Sequence, residues 1–544
     1  MRLLVDLTRC QGYGQCAFHA PGAFVMYGDE ALMYDPDPDE AQRASILRAA
    51  AACPVQAIQL DRADAEPATR AEPATSAEPA TGAEPARRED AFRRTGRIVI
   101  VGASLAGLRA AETLRAEGFA GSLTMIGAEP YPPYDRPPLS KQVLGGLVEA
   151  QRTALPGRRE LDAHWRLGVP AVGLDLAGRQ VYLADSGRVG FDRLLIATGV
   201  RARPWPDEAE ANLDGVCVLR TRDDAERLEQ RLAARPDRVL VIGAGFTGSE
   251  VASACCQLGL PVTVVEAGAA PLVAALGGVV GSVAADLQRD NGVDLRCGVT
   301  VTKLDGDRYG RLRRAYLSDG GAVDADVAVV ALGGIRNVEW LCGSGLAAGV
   351  WGVACDAGCR AFDANGVVTD DVFVAGDVAR APQPMFGYQF LALEHWGNAV
   401  AQAGVAAHNM LSPQAERWPY LSMPVFWSTQ FGTQIKSVGV PSVADEVMVV
   451  QGSVADRRFV ALYGAAGRVV AAVGFDQAKW LDFYGGLIES AAPFPPDFRH
   501  VDEPARARPL PAEFPEQISY QEATVVVTGH DPSERRVTLV PRYR

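Results

Sequence analysis

A proline recurs at every sixth position in one stretch of this chain, at Pro67, Pro73, Pro79 and Pro85, within a repeated Ala-Glu-Pro-Ala-Thr unit. Each proline lacks an N–H and restricts the residue before it, so regular helices and strands are blocked. No aromatic or large apolar side chain stands among the repeats, and burial therefore cannot offset the entropy of ordering. We interpret residues 62–94 as a disordered linker, which divides the chain into a small unit and a large one.

Length, charge and cysteine content limit what the two units can be. The 544 residues are enough for several domains. The net charge of −13 argues against non-specific nucleic-acid binding, which requires a basic surface. No run of eighteen apolar residues is present, so no membrane partner is expected, and the early acid Asp6 argues against a secretory signal. Ten unevenly spaced cysteines are not typical of a disulfide scaffold, and we therefore expect a cytoplasmic protein.

Three cysteines of the small unit have a spacing typical of an iron–sulfur site. Cys10 and Cys16 flank a loop with two glycines, and Cys53 follows much later, directly before a proline. Thiolates are the usual ligands of iron–sulfur clusters, and glycine lets a loop fold tightly around one. Three unrelated buried cysteines are the alternative. The Cys-Pro ending, and the apolar residues after it that predict a short closing strand up to Leu60, favour the cluster.

Two glycine-rich turns follow buried-strand patterns in the large unit. The first comes after residues 97–101 and the second after residues 238–242. A helical pattern follows each turn, so each can hold a pyrophosphate at the N-terminus of a helix. The residues that we assign to the two dinucleotide sites are Gly102, Ser104, Ala106, Gly107, Gly243, Gly245, Gly248 and Glu250.

An acidic residue stands after each turn, about where a ribose hydroxyl would be bound. Glu129 follows the strand pattern at 123–126, and Glu266 ends the pattern at 262–265. A carboxylate in the second position accepts hydrogen bonds from an adenosine 2′-hydroxyl and repels a 2′-phosphate. No arginine or lysine follows in residues 267–270. We therefore expect the second site to select NADH over NADPH.

Further segments complete a pattern of two interleaved nucleotide-binding domains. A strand pattern ends in Gly376-Asp377, which can bring a carboxylate to the ribityl hydroxyls of a flavin, and Thr198-Gly199 ends a strand that returns between the two halves. Two dinucleotide sites in one chain suggest hydride transfer between two cofactors. A disulfide reductase would add a paired-cysteine motif beside the flavin, and none follows the first turn.

Residues 1–61 resemble the small bacterial ferredoxins that serve cytochrome P-450 enzymes. The pattern of that family is Cys-x-x-X-x-x-Cys, a long gap and Cys-Pro, and Cys10, Cys16 and Cys53 fill its cysteine positions. The variable position X is Tyr13, which supplies no thiolate. The resemblance therefore implies a 3Fe-4S cluster. A 4Fe-4S cluster with a labile or non-cysteine fourth ligand is the alternative.

Residues 97 to about 490 resemble the NADH-dependent flavoprotein ferredoxin reductases, the putidaredoxin reductase-like group. The resemblance rests on Pro-Tyr-Asp-Arg-Pro-Pro-Leu-Ser-Lys at 133–141 and on Glu-His-Trp at 394–396. It implies that Lys141 lies near the reactive edge of the FAD and pairs with Glu250, which positions the nicotinamide. The likeness also implies that the FAD is bound by Arg136, Lys141, Asp377, Glu394, His395 and Trp396.

An aromatic strand pattern at 424–432 also matches this family, with one departure. Thr429 stands where the family has aspartate. The resemblance implies that Trp427 shields the flavin, so we count it with Lys141 and Glu250 among the catalytic residues. Core packing is the alternative role for this tryptophan.

These features predict an α+β ferredoxin-like domain followed by an α/β flavoprotein of the glutathione reductase type. The flavoprotein is expected to have two Rossmann-like domains and a small α+β C-terminal domain. The expected boundaries are 1–61 for the ferredoxin domain, 62–94 for the linker, 95–205 and 333–411 for the FAD-binding domain, 206–332 for the NADH-binding domain, 412–492 for the C-terminal domain and 493–544 for an extension of unknown role.

The sequence thus predicts an NADH:ferredoxin oxidoreductase that carries its own ferredoxin. Hydride passes from NADH to FAD, and single electrons then pass to the cluster and on to an acceptor protein, for which the resemblance implies a cytochrome P-450. Carboxylates between Asp29 and Glu40 are candidates for docking that partner, or form an ordinary solvated face. An iron–sulfur redox sensor and an NADH oxidase are the alternative functions.

Overall fold

The computed structural model describes most of the chain on both sides of the proline repeat. The described residues are 1–27, 30–60, 83–157, 161–497, 523–528 and 536–541, and for 83–88, 523–528 and 536–541 only the backbone is described. No helix within these ranges is long and apolar enough to cross a membrane.

The small unit, here called the cysteine unit (residues 1–60), is built from two antiparallel strand pairs and two helices. The predicted closing strand is present, since Ile58–Leu60 pairs with Leu3–Val5. The other elements are the hairpin Phe24–Tyr27 with Ala31–Tyr34 and the helices Gln15–His19 and Arg43–Ala52. Buried apolar side chains from every element, among them Leu3, Phe24 and Ile46, form one core.

The end of the predicted linker is helical, which corrects the expectation of disorder for residues 83–94. A helix spans Ala83–Thr95. Pro85 stands in its first turn, where the missing N–H is not needed. The ring of Phe92 packs against Phe119 with centroids 5.7 Å apart, and the guanidinium of Arg193 lies 4.0 Å from the Phe92 ring centroid. These contacts stabilise the helix against the large unit. Residues 61–82 lie outside the described ranges.

The first domain of the large unit is a parallel sheet with helices against it. The strands lie in the order Arg360–Phe362, Val368–Val374, Arg193–Ile196, Arg97–Val101, Ser122–Gly127 and His164–Leu167, with only the first pair antiparallel. The helices Leu105–Ala116 and Trp396–Leu411 pack on each other. Smaller sheets add Ala171–Asp175, Gln180–Leu183 and Arg188–Gly190; Ala348–Gly349, Gly352–Ala354, Ala379–Gln383 and Gln389–Leu391; and the pair Val200–Ala202 with Gly334–Arg336.

The second domain repeats the same plan within the interval between the two halves of the first. Its parallel sheet has the order Val216–Cys217, Val327–Val330, Val239–Ile242, Val262–Glu266 and Asp294–Cys297. Its helices are Glu208–Ala211, Arg222–Ala233, Phe246–Gln257 and Val273–Asp290, and an antiparallel sheet adds Val301–Gly306, Leu312–Leu317 and Ala322–Asp324.

The third domain is an antiparallel sheet covered by one helix. Its strands lie in the order Val425–Gln430, Thr433–Gly439, Arg468–Phe475, Arg458–Ala465 and Glu446–Ser453, and the helix is Leu481–Glu489. Farther along the chain, Ala523–Thr528 and Arg536–Pro541 form an antiparallel pair. Short 3-10 helices occur at Glu40–Gln42, Pro137–Ser140, Ala150–Thr153, Glu339–Leu341, Pro384–Phe386, Gln414–Glu416, Pro441–Val443 and Ala478–Trp480.

The cysteine unit contacts both the first and the third domain. Leu4 is buried against Leu108 and Leu155 of the first domain. From the third domain, Lys436, whose side chain is only 2% exposed, donates a hydrogen bond from Nζ to the carbonyl oxygen of Cys10 at 2.8 Å. A buried cation is costly unless it is hydrogen-bonded or paired, so this contact fixes the position of the cysteine unit.

Polar contacts around Lys436 extend the same interface. The Nε2 atom of Gln11 donates to Asp482 Oδ1 at 3.0 Å. The buried carboxylate of Glu30 accepts a hydrogen bond from the backbone N–H of Ala478 at 2.7 Å, and Gln434 Nε2 donates to the Glu30 carbonyl at 3.2 Å. Burial raises the pKa of Glu30, and the Ala478 N–H opposes that shift.

Part of the acidic stretch considered for partner docking faces the large unit instead. Arg152 of the first domain lies 3.3 Å from Asp37 and 3.7 Å from Asp35. Glu40 pairs with Arg43 of its own unit. Asp35 and Asp37 therefore contribute to the contact between the two units, while Asp29 lies outside the described residues.

A buried carboxylate, Asp135, joins the cysteine unit to the first domain. Its Oδ1 accepts a hydrogen bond from Trp396 Nε1 at 2.9 Å, and the hydroxyl of Tyr34, from the cysteine unit, lies 3.4 Å from its Oδ2. Burial raises the pKa of Asp135 to about 6, against the hydrogen bond from Trp396 and the positive charge of Arg109, which lower it.

We expect Asp135→Asn to change how stability depends on pH. The folded pKa lies above the ordinary value of 3.8, so the folded wild type binds an extra proton between about pH 6 and pH 3.8. The free energy of unfolding of the wild type therefore rises, relative to that of the asparagine variant, as the pH falls through that window. The rise is ~1.4 kcal/mol per pH unit and amounts to about 2 kcal/mol between pH 7 and pH 4.5. Chemical unfolding at several pH values measures this difference.

The control for this measurement is Asp319→Asn, at an exposed turn position. Its stability should follow that of the wild type at every pH. A difference between wild type and Asp135→Asn that stays constant from pH 7 to pH 4.5 would show that Asp135 has an ordinary pKa.

Candidate functional site

Both glycine-rich turns have backbones that only glycine fits. Gly102 has φ +123°, and a Cβ atom there would collide with the carbonyl of Ala197. Gly248, in the second turn, lies so close to the carbonyl oxygen of Gly243 that a Cβ atom cannot be placed between them. Each turn leads directly into a helix, Leu105–Ala116 or Phe246–Gln257. The free N–H groups of both helix N-termini can therefore bind an anionic pyrophosphate.

A cavity of about 290 Å³ opens at the first turn and reaches all three domains of the large unit. Most of the residues predicted to bind FAD line it, and so do all three predicted catalytic residues, Lys141, Glu250 and Trp427. The predicted residues in its wall are Ser104, Ala106, Arg136, Lys141, Thr198, Gly199, Glu250, Gly376, Asp377, Glu394, His395, Trp396 and Trp427. No cysteine lines this cavity in the described part of the chain.

Other predicted residues support the cavity wall or form the second site. Gly102 and Gly107 shape the first turn, and Glu129 pairs with the wall residue Arg136 at 2.7 Å. Gly243, Gly245 and Gly248 form the second turn. Glu266 belongs to that turn as well, since its carboxylate accepts hydrogen bonds from the backbone N–H groups of Ala244 and Gly268, both at 2.6 Å.

Lys141 and Glu250 form a buried ion pair with Nζ and Oε2 2.8 Å apart. Ser140 Oγ also donates to Oε2, at 2.5 Å, and Ser428 Oγ donates to Oε1 at 2.7 Å. Glu250 comes from the second domain, Lys141 and Ser140 from the first, and Ser428 from the third. Four side chains from three domains thus meet at one edge of the cavity and hold a lysine ammonium there.

Some wall residues were not predicted from the sequence. Arg220 pairs with Asp377 at 2.8 Å and therefore neutralises a carboxylate assigned to the ribityl chain. Arg336 does not itself line the cavity, but it pairs with the wall residue Glu394 at 2.6 Å. Neither arginine lies within a motif, so only the fold brings them to the site. Tyr134 differs, because it stands inside the 133–141 segment and its hydroxyl lies 3.0 Å from Arg136 Nη1.

Two orphaned polar atoms show that the cavity wall suits a polar, ring-shaped cofactor. Trp427 Nε1 and His395 Nδ1 are buried and have no hydrogen-bond partner among the described residues. Buried polar groups are normally hydrogen-bonded, so such atoms call for a ligand. Burial lowers the pKa of His395 to about 4, although the charge of Asp377 opposes the shift. A neutral imidazole therefore faces the cavity. These features fit a bound flavin.

The three cysteines of the small unit line a second, smaller cavity. Cys10, Cys16 and Cys53 surround it together with Gly12 and Gly14. Burial raises the pKa of Cys10, and it raises the pKa of Cys16 to about 11. Cys53 raises both values further, and Cys10 also raises that of Cys16. No three His, Cys, Asp or Glu side chains within the described ranges converge closely enough to hold a single metal ion. The thiols instead surround a space, as the ligands of a multi-iron cluster do.

Tyr13 occupies the place of a fourth cysteine, but its hydroxyl is not a substitute thiolate. The side chain is 42% exposed. Burial of its other part raises the pKa of Tyr13, and the charges of Asp482 and Glu30 raise it further. The phenol therefore stays protonated at neutral pH, and the described residues offer three thiolates to a cluster.

Trp427 contacts both the larger cavity and the cysteine unit. It lines the larger cavity and also packs against the buried core of the cysteine unit, to which Cys10 belongs. Its ring makes an edge-on contact with Trp396, with centroids 6.2 Å apart. One side chain thus touches both the candidate flavin site and the cysteine unit.

Comparisons with known families agree with this architecture. The family described as pyridine nucleotide-disulphide oxidoreductase matches residues 96–403, a reductase C-terminal family matches residues 425–506, and the 4Fe-4S single cluster domain of ferredoxin I matches residues 5–60. The reductase C-terminal match extends into residues 493–506, which the sequence alone assigned to an extension.

Individual relatives point to the same class. Rhodocoxin reductase from Rhodococcus erythropolis is 36% identical over 66% of this chain and 81% of its own length. The ferredoxin--NAD(+) reductase component of the p-cumate 2,3-dioxygenase system from Pseudomonas putida is 35% identical over 63% of this chain and 81% of its own length. The crystal structure of the covalent putidaredoxin reductase-putidaredoxin complex matches with a TM-score of 0.67 and 28% identity, over 73% of this chain and 94% of that one. The chain therefore belongs to the pyridine nucleotide-disulphide oxidoreductase family, and within it to the ferredoxin--NAD(+) reductases, with an iron–sulfur ferredoxin domain joined to the reductase.

Proposed function

We propose that this protein is an NADH:ferredoxin oxidoreductase. It reduces its own ferredoxin domain, which is the cysteine unit (residues 1–60), and through that domain it reduces an external acceptor. The observation that carries this proposal is the position of Trp427, which lies in the wall of the flavin cavity and packs against the core of the ferredoxin domain. A redox sensor or an NADH oxidase would not need that contact. FAD, when bound, accepts a hydride and gives up electrons one at a time, which suits a nicotinamide donor and a one-electron cluster.

The residues of the cavity have separate roles in this proposal. Lys141 holds a positive charge beside the reacting edge of the flavin, and Glu250 fixes that ammonium and faces the nicotinamide side. Arg136 and Asp377 bind the pyrophosphate and ribityl parts. His395, Trp396 and Trp427 line the cavity, and they would exclude water from a flavin ring bound there, which limits loss of electrons to side reactions.

The order of electron transfer tests this function. On anaerobic mixing with NADH, we expect the flavin absorbance to bleach first and the cluster absorbance second, followed by reduction of added cytochrome c. Cys53→Ser should keep the flavin step and lose at least ~90% of cytochrome c reduction, since thiolates hold the cluster. Cys217→Ser, in the second domain, is the matched control. Full cytochrome c reduction by Cys53→Ser would mean that the flavin reduces acceptors directly and would favour an NADH oxidase.

We further propose that the second domain binds NADH and discriminates against NADPH through Glu266. The side chain lies at the end of the strand Val262–Glu266 and beside the glycine turn. A carboxylate there accepts from a ribose 2′-hydroxyl and repels a 2′-phosphate.

Removing this carboxylate should weaken the discrimination. We expect Glu266→Ala to lower the ratio of kcat/KM for NADH over NADPH by ~10-fold or more, measured in steady state with ferricyanide as acceptor. Asp294→Asn, which removes an exposed carboxylate from the neighbouring strand, should leave the ratio as in the wild type. An unchanged ratio in Glu266→Ala would assign the selectivity to other residues.

We propose a 3Fe-4S cluster, although the matching family is named for a 4Fe-4S cluster. Three cysteines line the cluster cavity, and the fourth position is a tyrosine whose raised pKa keeps it protonated. A 4Fe-4S cluster with a labile fourth ligand is the alternative.

Electron paramagnetic resonance with iron and sulfide analysis distinguishes the two clusters. The oxidised wild type should give an S = 1/2 signal. Tyr13→Cys should lose that signal after anaerobic reconstitution, because a fourth thiolate completes a four-iron site. Ala41→Cys, at an exposed position that does not line the cluster cavity, is the control and should keep the signal. An oxidised wild type without the signal would contradict the three-iron cluster.

For the acceptor we propose a cytochrome P-450, on the resemblance of the ferredoxin domain to the ferredoxins of such systems. The names of several relatives, such as the p-cumate 2,3-dioxygenase component, make a ring-hydroxylating dioxygenase the second candidate. All ten cysteines are free, which is in keeping with a reducing cytoplasm as the site of the reaction.

A further inference from the structure

The loop that carries Cys10 and Cys16 presents two different sides. On one side Cys10 and Gln11 are buried against the third domain, where Lys436 and Asp482 bind them. Trp427 packs against the core to which Cys10 belongs. In the proposed function, on which this inference rests, electrons therefore reach the cluster from the reductase domains.

The other side of the loop is open and apolar. Cys16 and Cys53 are only half-buried, and Pro54 is exposed. Phe18, two residues after Cys16 on the same helix, is 80% exposed, and Leu47, on the helix that ends at Cys53, is 50% exposed. We call Phe18, Leu47 and Pro54 the exit face. The helices of Phe18 and Leu47 pack on each other, so the exit face is continuous with the loop that the third domain binds on its other side.

An aromatic side chain as exposed as Phe18, placed next to a cluster ligand, is a feature of interaction surfaces. The acidic side chains of the ferredoxin domain do not indicate a different docking surface for the acceptor. The acidic side chains Asp35 and Asp37 already pair with Arg152 of the first domain, and Glu30 is buried against the third. A partner that approaches the half-buried cysteines therefore meets the apolar exit face, with Arg48 exposed beside it, rather than these carboxylates.

We infer that the ferredoxin domain works as a fixed relay: it stays docked on the reductase while the acceptor protein, with an apolar surface over its metal centre, binds the exit face. One electron enters the cluster from the reductase side and one leaves to the acceptor through the side of Cys16 and Cys53. Each NADH thus reduces two acceptor molecules in turn, and no further oxidant is required. The alternative is a shuttle, in which the domain must leave its position before the acceptor can bind.

The structure offers a way to lock the domain in place. A Cβ atom at Gly397, in the second position of the helix Trp396–Leu411, would lie 3.6 Å from the Cβ of Thr8 in the ferredoxin domain. This separation is within the range of natural disulfides, which is about 3.5–4.5 Å. The double variant Thr8→Cys with Gly397→Cys can therefore be cross-linked by oxidation and released by a phosphine reductant.

The locked full-length protein tests relay against shuttle. We expect the rate of NADH-dependent cytochrome c reduction to agree within about twofold between the oxidised and the phosphine-treated double variant. A loss of tenfold or more on locking, with flavin and cluster still bleached by NADH and with recovery on reduction of the disulfide, would overturn the relay. Thr8→Cys alone, treated in the same way, is the control.

A second variant tests the exit face itself and does not depend on the cross-link. Phe18→Ser should lower kcat/KM for cytochrome c by about tenfold, with unchanged iron content and an unchanged rate of cluster bleaching by NADH. Trp351→Ser, which removes a 72% exposed aromatic side chain from the first domain, is the control and should match the wild type. Wild-type rates in Phe18→Ser would overturn the exit face. If NADH does not bleach the cluster absorbance of the wild type, that result would contradict the proposed function instead.

Discussion

The position of the ferredoxin domain depends on one buried cation. Lys436 comes from the middle of a strand in the third domain and is buried, and a buried ammonium is stable only with a partner. Burial lowers its pKa, and the nearby charges of Asp482, Asp6 and Glu30 oppose that shift. The carbonyl of Cys10 is the partner that the structure gives it. The same contact therefore satisfies the lysine and fixes the cluster loop against the third domain.

The rest of the architecture places three domains around one cavity. Parallel sheets place their glycine turns at the same edge, so each nucleotide site forms where a strand meets a helix. The ion pair of Lys141 and Glu250 then joins the first and second domains across the cavity, and Ser428 adds the third. Nicotinamide, flavin and cluster chemistry each belong to a different part of the chain. The side chains where these parts meet determine how electrons pass between them.

Much of the site could be predicted because its signals are local. The glycines, Glu266 and the three cysteines act through short spacings that a sequence displays directly. Arg220, Arg336 and Ser428 could not be found in this way, since each reaches its partner only through tertiary contacts. The helix Ala83–Thr95 was missed for a different reason: the proline repeat was extended beyond Pro85, although contacts of Phe92 with Phe119 and Arg193 order the residues after it.

The covalent joining of ferredoxin and reductase has a consequence for stoichiometry. Where the two are separate proteins, a cell can make many carriers per reductase, and the carrier pool sets how many acceptors are supplied at once. Here each chain carries one carrier, and Leu4, Gln11 and Glu30 hold it against its own reductase. The ratio of ferredoxin domain to reductase is therefore fixed at one to one in every copy of this chain, whatever its level of expression.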